Sequence, residues 1–128
     1  MDSIKKIGWI NGITKPRASY SNFTKAGDFV FIAGQVGIDP DTGEIPIEFS
    51  KQMRIIFENI RKILESEGGS LGNIVKTTAF LSDSSYHEEY DMIYRSYFQH
   101  GFPSRSTVQS GLMHPKFKIE IEAIAYIP

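Results

Sequence analysis

The 128-residue chain has no cysteine, which removes disulfides, thiolate metal sites and thiol nucleophiles together and fits a reducing compartment. It has no charge excess either: 14 basic and 15 acidic side chains leave a net charge of -1, so no global field draws it to nucleic acid or to an anionic bilayer. Apolar residues nowhere run long enough to span a membrane, and the N-terminal MDSIKKIGWINGITK has a Lys pair but no apolar stretch of a secretory leader. The three histidines, His87, His100 and His114, stand at no ligand spacing, so no metal site is expected. What remains is an ordinary globular composition, 41% hydrophobic and 12% aromatic, in a length that suits one domain over residues 1–128, with the cytoplasm as default location.

Hydrophobic periodicity sets out the elements. DFVFIAGQVG, Asp28 to Gly37, reads as a strand, and the IDPDTGEI that follows carries turn chemistry of a hairpin kind, predicting an early antiparallel pair. From Glu48 to Glu67, Phe49, Met53, Ile56, Phe57, Ile60, Ile63 and Leu64 line one helical face, which Gly68 and Gly69 end. IVKTTAFL, Ile74 to Leu81, returns to strand. Ser85 with Glu88 forms a capping box for a second helix whose stripe of Tyr86, Tyr90, Ile93, Tyr94, Tyr97 and Phe98 ends by Gly101. STVQS and FKIEIEAIAYI close the chain as strands. The order β-β-α-β-α-β-β predicts an α+β fold, a mixed and mostly antiparallel sheet with two helices packed on one face, over a doubly wound parallel sheet.

Alternation assigns faces to the last strand. Phe117, Ile119, Ile121, Ala123, Ala125 and Ile127 point under the helices, while Lys118, Glu120, Glu122, Ile124 and Tyr126 form a half-apolar face that suits a subunit interface lined with a wet site. FPSRSTVQSG, Phe102 to Gly111, holds a single charged side chain, Arg105, on the strand face shared with Thr107 and Gln109. If these last two strands are antiparallel neighbours, Arg105 lies near Glu120 on the uncovered face, and a plain cross-strand pair with Glu120 or Glu122 accounts for it as well as a binding role does.

FPSRSTVQSGLMHPKFKIEIEAIA, Phe102 to Ala125, resembles the C-terminal signature of the RidA/YjgF family of reactive-intermediate deaminases, with VFIAGQVGIDPDTG, ESEGGSLGNIVKTTAF and the end of the second helix extending the likeness over nearly the whole chain. The resemblance implies a fold like chorismate mutase of the bacillus type and homotrimers with sites in clefts between subunits. It implies hydrolysis of enamines and imines of the 2-aminoacrylate and 2-iminopropanoate type to 2-keto acids and ammonia, with no cofactor. In that picture Arg105 grips the substrate carboxylate, since a planar fork matches two oxygens as Lys does not. Glu120 handles the protons of the attacking water, and Tyr20, Ala33, Gly34, Asp91 and Thr107 line the cleft.

The chain also departs from that pattern. Members of the best-known type carry Ser at the position of Ala33, Asn at Asp91 and Cys at Thr107. An added carboxylate at Asp91 would repel an anionic substrate if it entered the cleft, and its plain reading is an i,i+4 pair with Arg95. The GLMHP loop, Gly111 to Pro115, resembles the branch of the family that acts in pyrimidine breakdown. Two other functions stay open: a ribonuclease or translation inhibitor, against which the lack of a basic stripe counts, and a small-carboxylate-binding or chaperone-like module without turnover. The second-helix tyrosines read as core and His114 as a solvent-exposed loop residue. Membrane and nucleic-acid partners are not expected.

Overall fold

The computed structural model describes residues 3–128. Three strands, β1 (Ile4–Ile7), β2 (Phe23–Ala26) and β3 (Phe29–Val36), precede helix α1 (Phe49–Ser66); β4 (Ile74–Leu81), helix α2 (His87–Tyr97), β5 (Ser104–Gln109) and β6 (Ile119–Tyr126) follow. They form one six-stranded sheet in the order β1-β2-β3-β6-β4-β5, antiparallel throughout except for the parallel β4-β5 pair. The α+β architecture expected from the element order is therefore present, with α1 packed on β3 and β6 and against α2.

The alternation of β6 works as read: Ile119, Ile121, Ala123 and Ala125 are buried under the helices, while Glu122 and Tyr126 face outward. Helix α1 contributes Met53, Ile56, Phe57, Ile60, Ile63 and Leu64 to that core, and Gly68, at φ +81°, turns the chain out so that Gly68 and Gly69 donate back to the Glu65 and Leu64 carbonyls.

Three expectations change. The antiparallel partner of β3 on its N-terminal side is β2, joined through a tight turn at Gly27 with φ +59°, and Pro40–Gly43 closes a loop, not a hairpin. There the Asp39 carboxylate accepts from the amides of Asp41 and Thr42, so the turn chemistry is real but no strand follows it. At the second helix the cap is Asp83, whose side chain accepts from the Ser85 amide at 2.8 Å; a 3-10 turn over Ser84–Tyr86 then leads into α2, so the Ser85–Glu88 box does not form. Finally, β4 lies between β5 and β6, so the last two strands are not neighbours.

A buried polar network ties the N-terminal segment to the sheet and to α1. Asn59 Nδ2 donates to Gln35 Oε1 (3.3 Å) and to Thr14 Oγ1 (3.1 Å), Gln35 Nε2 donates to Asn22 Oδ1 (3.3 Å) and to the Ala33 carbonyl (3.0 Å), and Asn22 Nδ2 reaches the Thr14 carbonyl (3.2 Å). Asn22, Gln35 and Asn59 are all buried, and no buried side-chain polar atom is left unpartnered among the described residues, which is the condition under which such a network holds a structure instead of weakening it. Truncating Asn59 to Ala removes the donor from the buried Gln35 Oε1 and the half-buried Thr14 Oγ1 and is expected to cost about 1–3 kcal/mol in chemical denaturation; a loss below about 0.5 kcal/mol, the level of an ordinary surface change, would show the network to be dispensable.

Candidate functional site

The sequence-predicted residues gather in two separate places. The first is a cleft of about 490 Å³ on the β3–β6 side, lined by Tyr20, Ala33, Gly34 and Glu120 with the 111–117 loop at its edge. Its floor is a β-bulge: Ile32 pairs with Ala123 and Gln35 with Ile121, leaving Ala33 and Gly34 opposite Glu122 alone. The Gln35 side chain, bonded to the Ala33 carbonyl, pins that bulge from beneath.

Gly34 is where the bulge meets chemistry. A β-carbon there would land on Oε2 of Glu120, so the absence of a side chain is what lets the carboxylate lie against the backbone. Glu120 is half-buried, and no ion pair involves it among the described residues. Burial, and secondarily the nearby Glu122 charge, raises its pKa above the ordinary carboxylate range. Tyr20, half exposed, stands at the rim. His114 is half-buried, not fully exposed as expected; its Nδ1 accepts from the Lys116 amide and its ring packs 5.3 Å from Phe117, which shapes the loop at the cleft edge.

The second place is a smaller cavity of about 250 Å³ lined by Asp91, Tyr94, Arg95, Phe102, Pro103 and Arg105. Arg105 pairs in register with Thr77, which is buried under the helices, so its side chain lies on the α2 face of the sheet and Glu120 lies on the other. The expected Arg105–Glu120 or Arg105–Glu122 pair is therefore absent: β4 intervenes, and the pleat turns Arg105 the opposite way. Its guanidinium instead lies 4.9 Å and 4.7 Å from the Tyr90 and Tyr94 ring centroids, a cation-π shelf. The shelf is itself fixed, Tyr94 OH to Thr77 Oγ1 at 2.7 Å and Tyr90 OH to Thr107 Oγ1 at 2.9 Å. Thr107 thus supports Arg105 through Tyr90.

Asp91 answers to both readings at once. Its Oδ2 accepts from Arg95 Nη2 at 3.1 Å, the i,i+4 pair, and its Oδ1 accepts from Arg105 Nη1 at 3.0 Å. The Tyr90/Tyr94 shelf and the Asn22–Gln35–Asn59 network are the parts that sequence reasoning missed. The signal for the shelf was present in two tyrosines flanking an acid at helical spacing; the network joins three distant segments and left no local trace.

A family model described as Endoribonuclease L-PSP matches residues 12–127 of the chain. A RutC family protein of Pyrococcus horikoshii is 40% identical over 96% of this chain and 98% of its own length. The 2-iminobutanoate/2-iminopropanoate deaminase of Escherichia coli is 37% identical over 77% of this chain and 80% of its own. Among solved structures, Escherichia coli TdcF with bound serine aligns with a TM-score of 0.90 at 34% identity, covering 97% of this chain and all (100%) of that one.

Two outcomes are expected at Glu120. In Gly34→Ala the clash falls on the far end of a flexible side chain, so the fold persists while the carboxylate is expelled; an unchanged thermal midpoint with loss of any Glu120-dependent activity is the expected pair of results, and full activity would show that the close approach is unimportant. Because the folded state holds the Glu120 proton more tightly than the unfolded chain does, stability falls as pH rises through the carboxylate range. Glu120→Gln should therefore melt above the wild type at neutral pH, with the gap closing as pH falls below the ordinary value of 4.5; a gap that widens on acidification would contradict this.

Proposed function

The chain belongs to the RidA/YjgF family, whose model is described as Endoribonuclease L-PSP, and from that premise we propose that it hydrolyses small 2-imino and enamine acids of the 2-aminoacrylate type to 2-keto acids and ammonia. The observation that carries this reading is Glu120: a half-buried carboxylate with a raised pKa and no cationic partner among the described residues, backed onto Gly34 in an open cleft. A carboxylate shifted in that direction is a stronger base than an ordinary one and can take up a proton and hand it on. The E. coli relatives named as imine deaminase and as a serine-bound TdcF support the substrate class.

In the proposed reaction the enamine takes a proton from solvent at its β-carbon to give the iminium, and Arg105 holds the substrate carboxylate through the donors that Asp91 leaves open. Water adds to the iminium carbon as Glu120 takes its proton; Glu120 then returns that proton to the amine and takes up the carbinol hydroxyl proton as the C–N bond breaks, so that the keto acid and, with that proton, ammonium are released. Arg105 supplies orientation, Glu120 proton transfer, and each contributes only if both reach one substrate.

Within one chain they do not, because they lie on opposite faces of the sheet. This favours a cleft completed by a second copy, in a homotrimer. The outer face beside Glu120 presents Phe29 (42% exposed), Phe31 (44%) and Tyr126 (41%), with Phe29 and Tyr126 rings 5.1 Å apart, an apolar strip suited to self-association.

Coupled to a serine dehydratase, the wild type is expected to speed keto-acid formation and to lower semicarbazide trapping of the imine, while Arg105→Ala and Glu120→Gln each lose about 10²–10⁴-fold with the fold intact; retained activity in either would sink the assignment. Light scattering should give three times the 14.5 kDa chain mass, and a monomer would remove the shared cleft. Co-refolding the two inactive variants provides a further check: each mixed trimer regains one intact cleft, so random mixing should restore about a quarter of wild-type activity, and no recovery would mean that Arg105 and Glu120 do not act across a subunit boundary.

A further inference from the structure

Arg105 has one of its outer nitrogens already occupied. Asp91 Oδ1 accepts from Nη1 at 3.0 Å, and the Tyr90 and Tyr94 rings, 4.9 and 4.7 Å away, hold the guanidinium plane against lateral movement. Asp91 is held in turn by Arg95 through its other oxygen, at 3.1 Å. A ligand carboxylate therefore meets a fork whose second edge is free and whose first edge carries a fixed negative charge, roughly 5–7 Å away across one guanidinium and its hydrogen bonds. Arg95 offsets that charge only weakly, because its side chain is 64% exposed against 24% for Arg105.

We propose that Asp91 is a specificity-determining residue that makes this site select zwitterionic 2-imino acids over the keto-acid anions they become. The inference rests on the deaminase reading of the same site and adds to it a means of product release. The balanced step shows why: an iminium carboxylate plus water gives a keto-acid anion plus ammonium. The reactant is neutral overall, its iminium charge cancelling its carboxylate in the field of Asp91. The keto acid keeps the carboxylate and loses the cation with the ammonium, so the Asp91 charge that was indifferent to the substrate, or attracted its nitrogen, now repels the product. With two unit charges at such a separation in a partly desolvated cleft, the discrimination is about tenfold or more.

The same geometry argues against the simpler role of a brace. The tyrosine shelf already orients Arg105 from its face, and Thr77 and Thr107 fix that shelf without help from Asp91. Replacing Asp91 by Asn keeps an acceptor oxygen for Arg105 Nη1 and removes only the charge.

The test is titration calorimetry of the assembled wild type and Asp91→Asn with L-serine as a zwitterion and pyruvate as an anion of the same chain length. The wild type should bind serine about tenfold or more tightly than pyruvate. In Asp91→Asn pyruvate should gain about tenfold while serine moves less than about threefold, and pyruvate should become a correspondingly stronger competitive product inhibitor in the coupled assay, raising the apparent KM at a given pyruvate concentration. Equal shifts for both ligands would overturn the proposal, as would weakening of both, which marks Asp91 as a brace. Acceleration of ammonia release by the same wild-type preparation is read in the coupled dehydratase assay, where the imine is generated. Selectivity that depends on Asp91 without ammonia release leaves this inference standing and removes the deaminase; ammonia release with equal ligand shifts does the reverse.

Discussion

The period of two along a β-strand is the constraint on which the molecule depends. β6 runs through the middle of the sheet, hydrogen-bonded to β3 on one side and β4 on the other, and its alternation divides the protein into a dry half and a wet half. Ile119, Ile121, Ala123 and Ala125 take the helix side, where they join the buried core with α1. Glu120 is thereby forced outward, between Ile119 and Ile121, and no adjustment of its rotamer brings it to the helix side. The same rule applied to β5 sends Arg105 inward. Acid and arginine therefore stand on opposite faces of the sheet within one chain.

Around that constraint the sheet makes one local exception. The bulge at Ala33 and Gly34 gives β3 an extra residue against β6, and it occurs beside Glu120, where a side chain on Gly34 would leave no room for the carboxylate. The irregularity is held by Gln35, Asn22 and Asn59, three polar side chains buried at a place where apolar residues would pack more simply. Their presence marks the N-terminal segment, which carries Thr14 and Tyr20, as part of the cleft wall. On the other half of the site, hydroxyl pairs from Thr77 and Thr107 to two tyrosines fix the arginine from below, so both halves are stiff before any ligand arrives.

What could be read in the chain beforehand followed the strength of local pattern. The α1 stripe and the alternation of FKIEIEAIAYI are statements about neighbouring residues, and they gave the right core and faces. β1 and β2 were not recognised: IKKI and FTKA are four residues each, lysine-bearing, and owe their strand state to pairing with each other and with β3. The place of β4 between β5 and β6 was also beyond local reading, because a parallel crossover through α2 sets it. That single topological fact overturned the expected Arg105–Glu120 neighbourhood while leaving each residue's candidacy intact. The resemblance of FPSRSTVQSG and IAGQ named the site residues; the pleat and the strand order decided that they stand in two groups.

The pairing of β3 with β6 also bears on how the chain comes into being. Phe29 lies opposite Tyr126 and Val30 opposite Ala125, so β3 waits for a partner that lies far along the chain. Until β6 leaves the ribosome, β3 has an open edge and its apolar face has no cover but α1. Contacts this distant along the chain give a slow folding step. A break inside β6 removes the partner of β3 and of β4 together and divides the sheet in two.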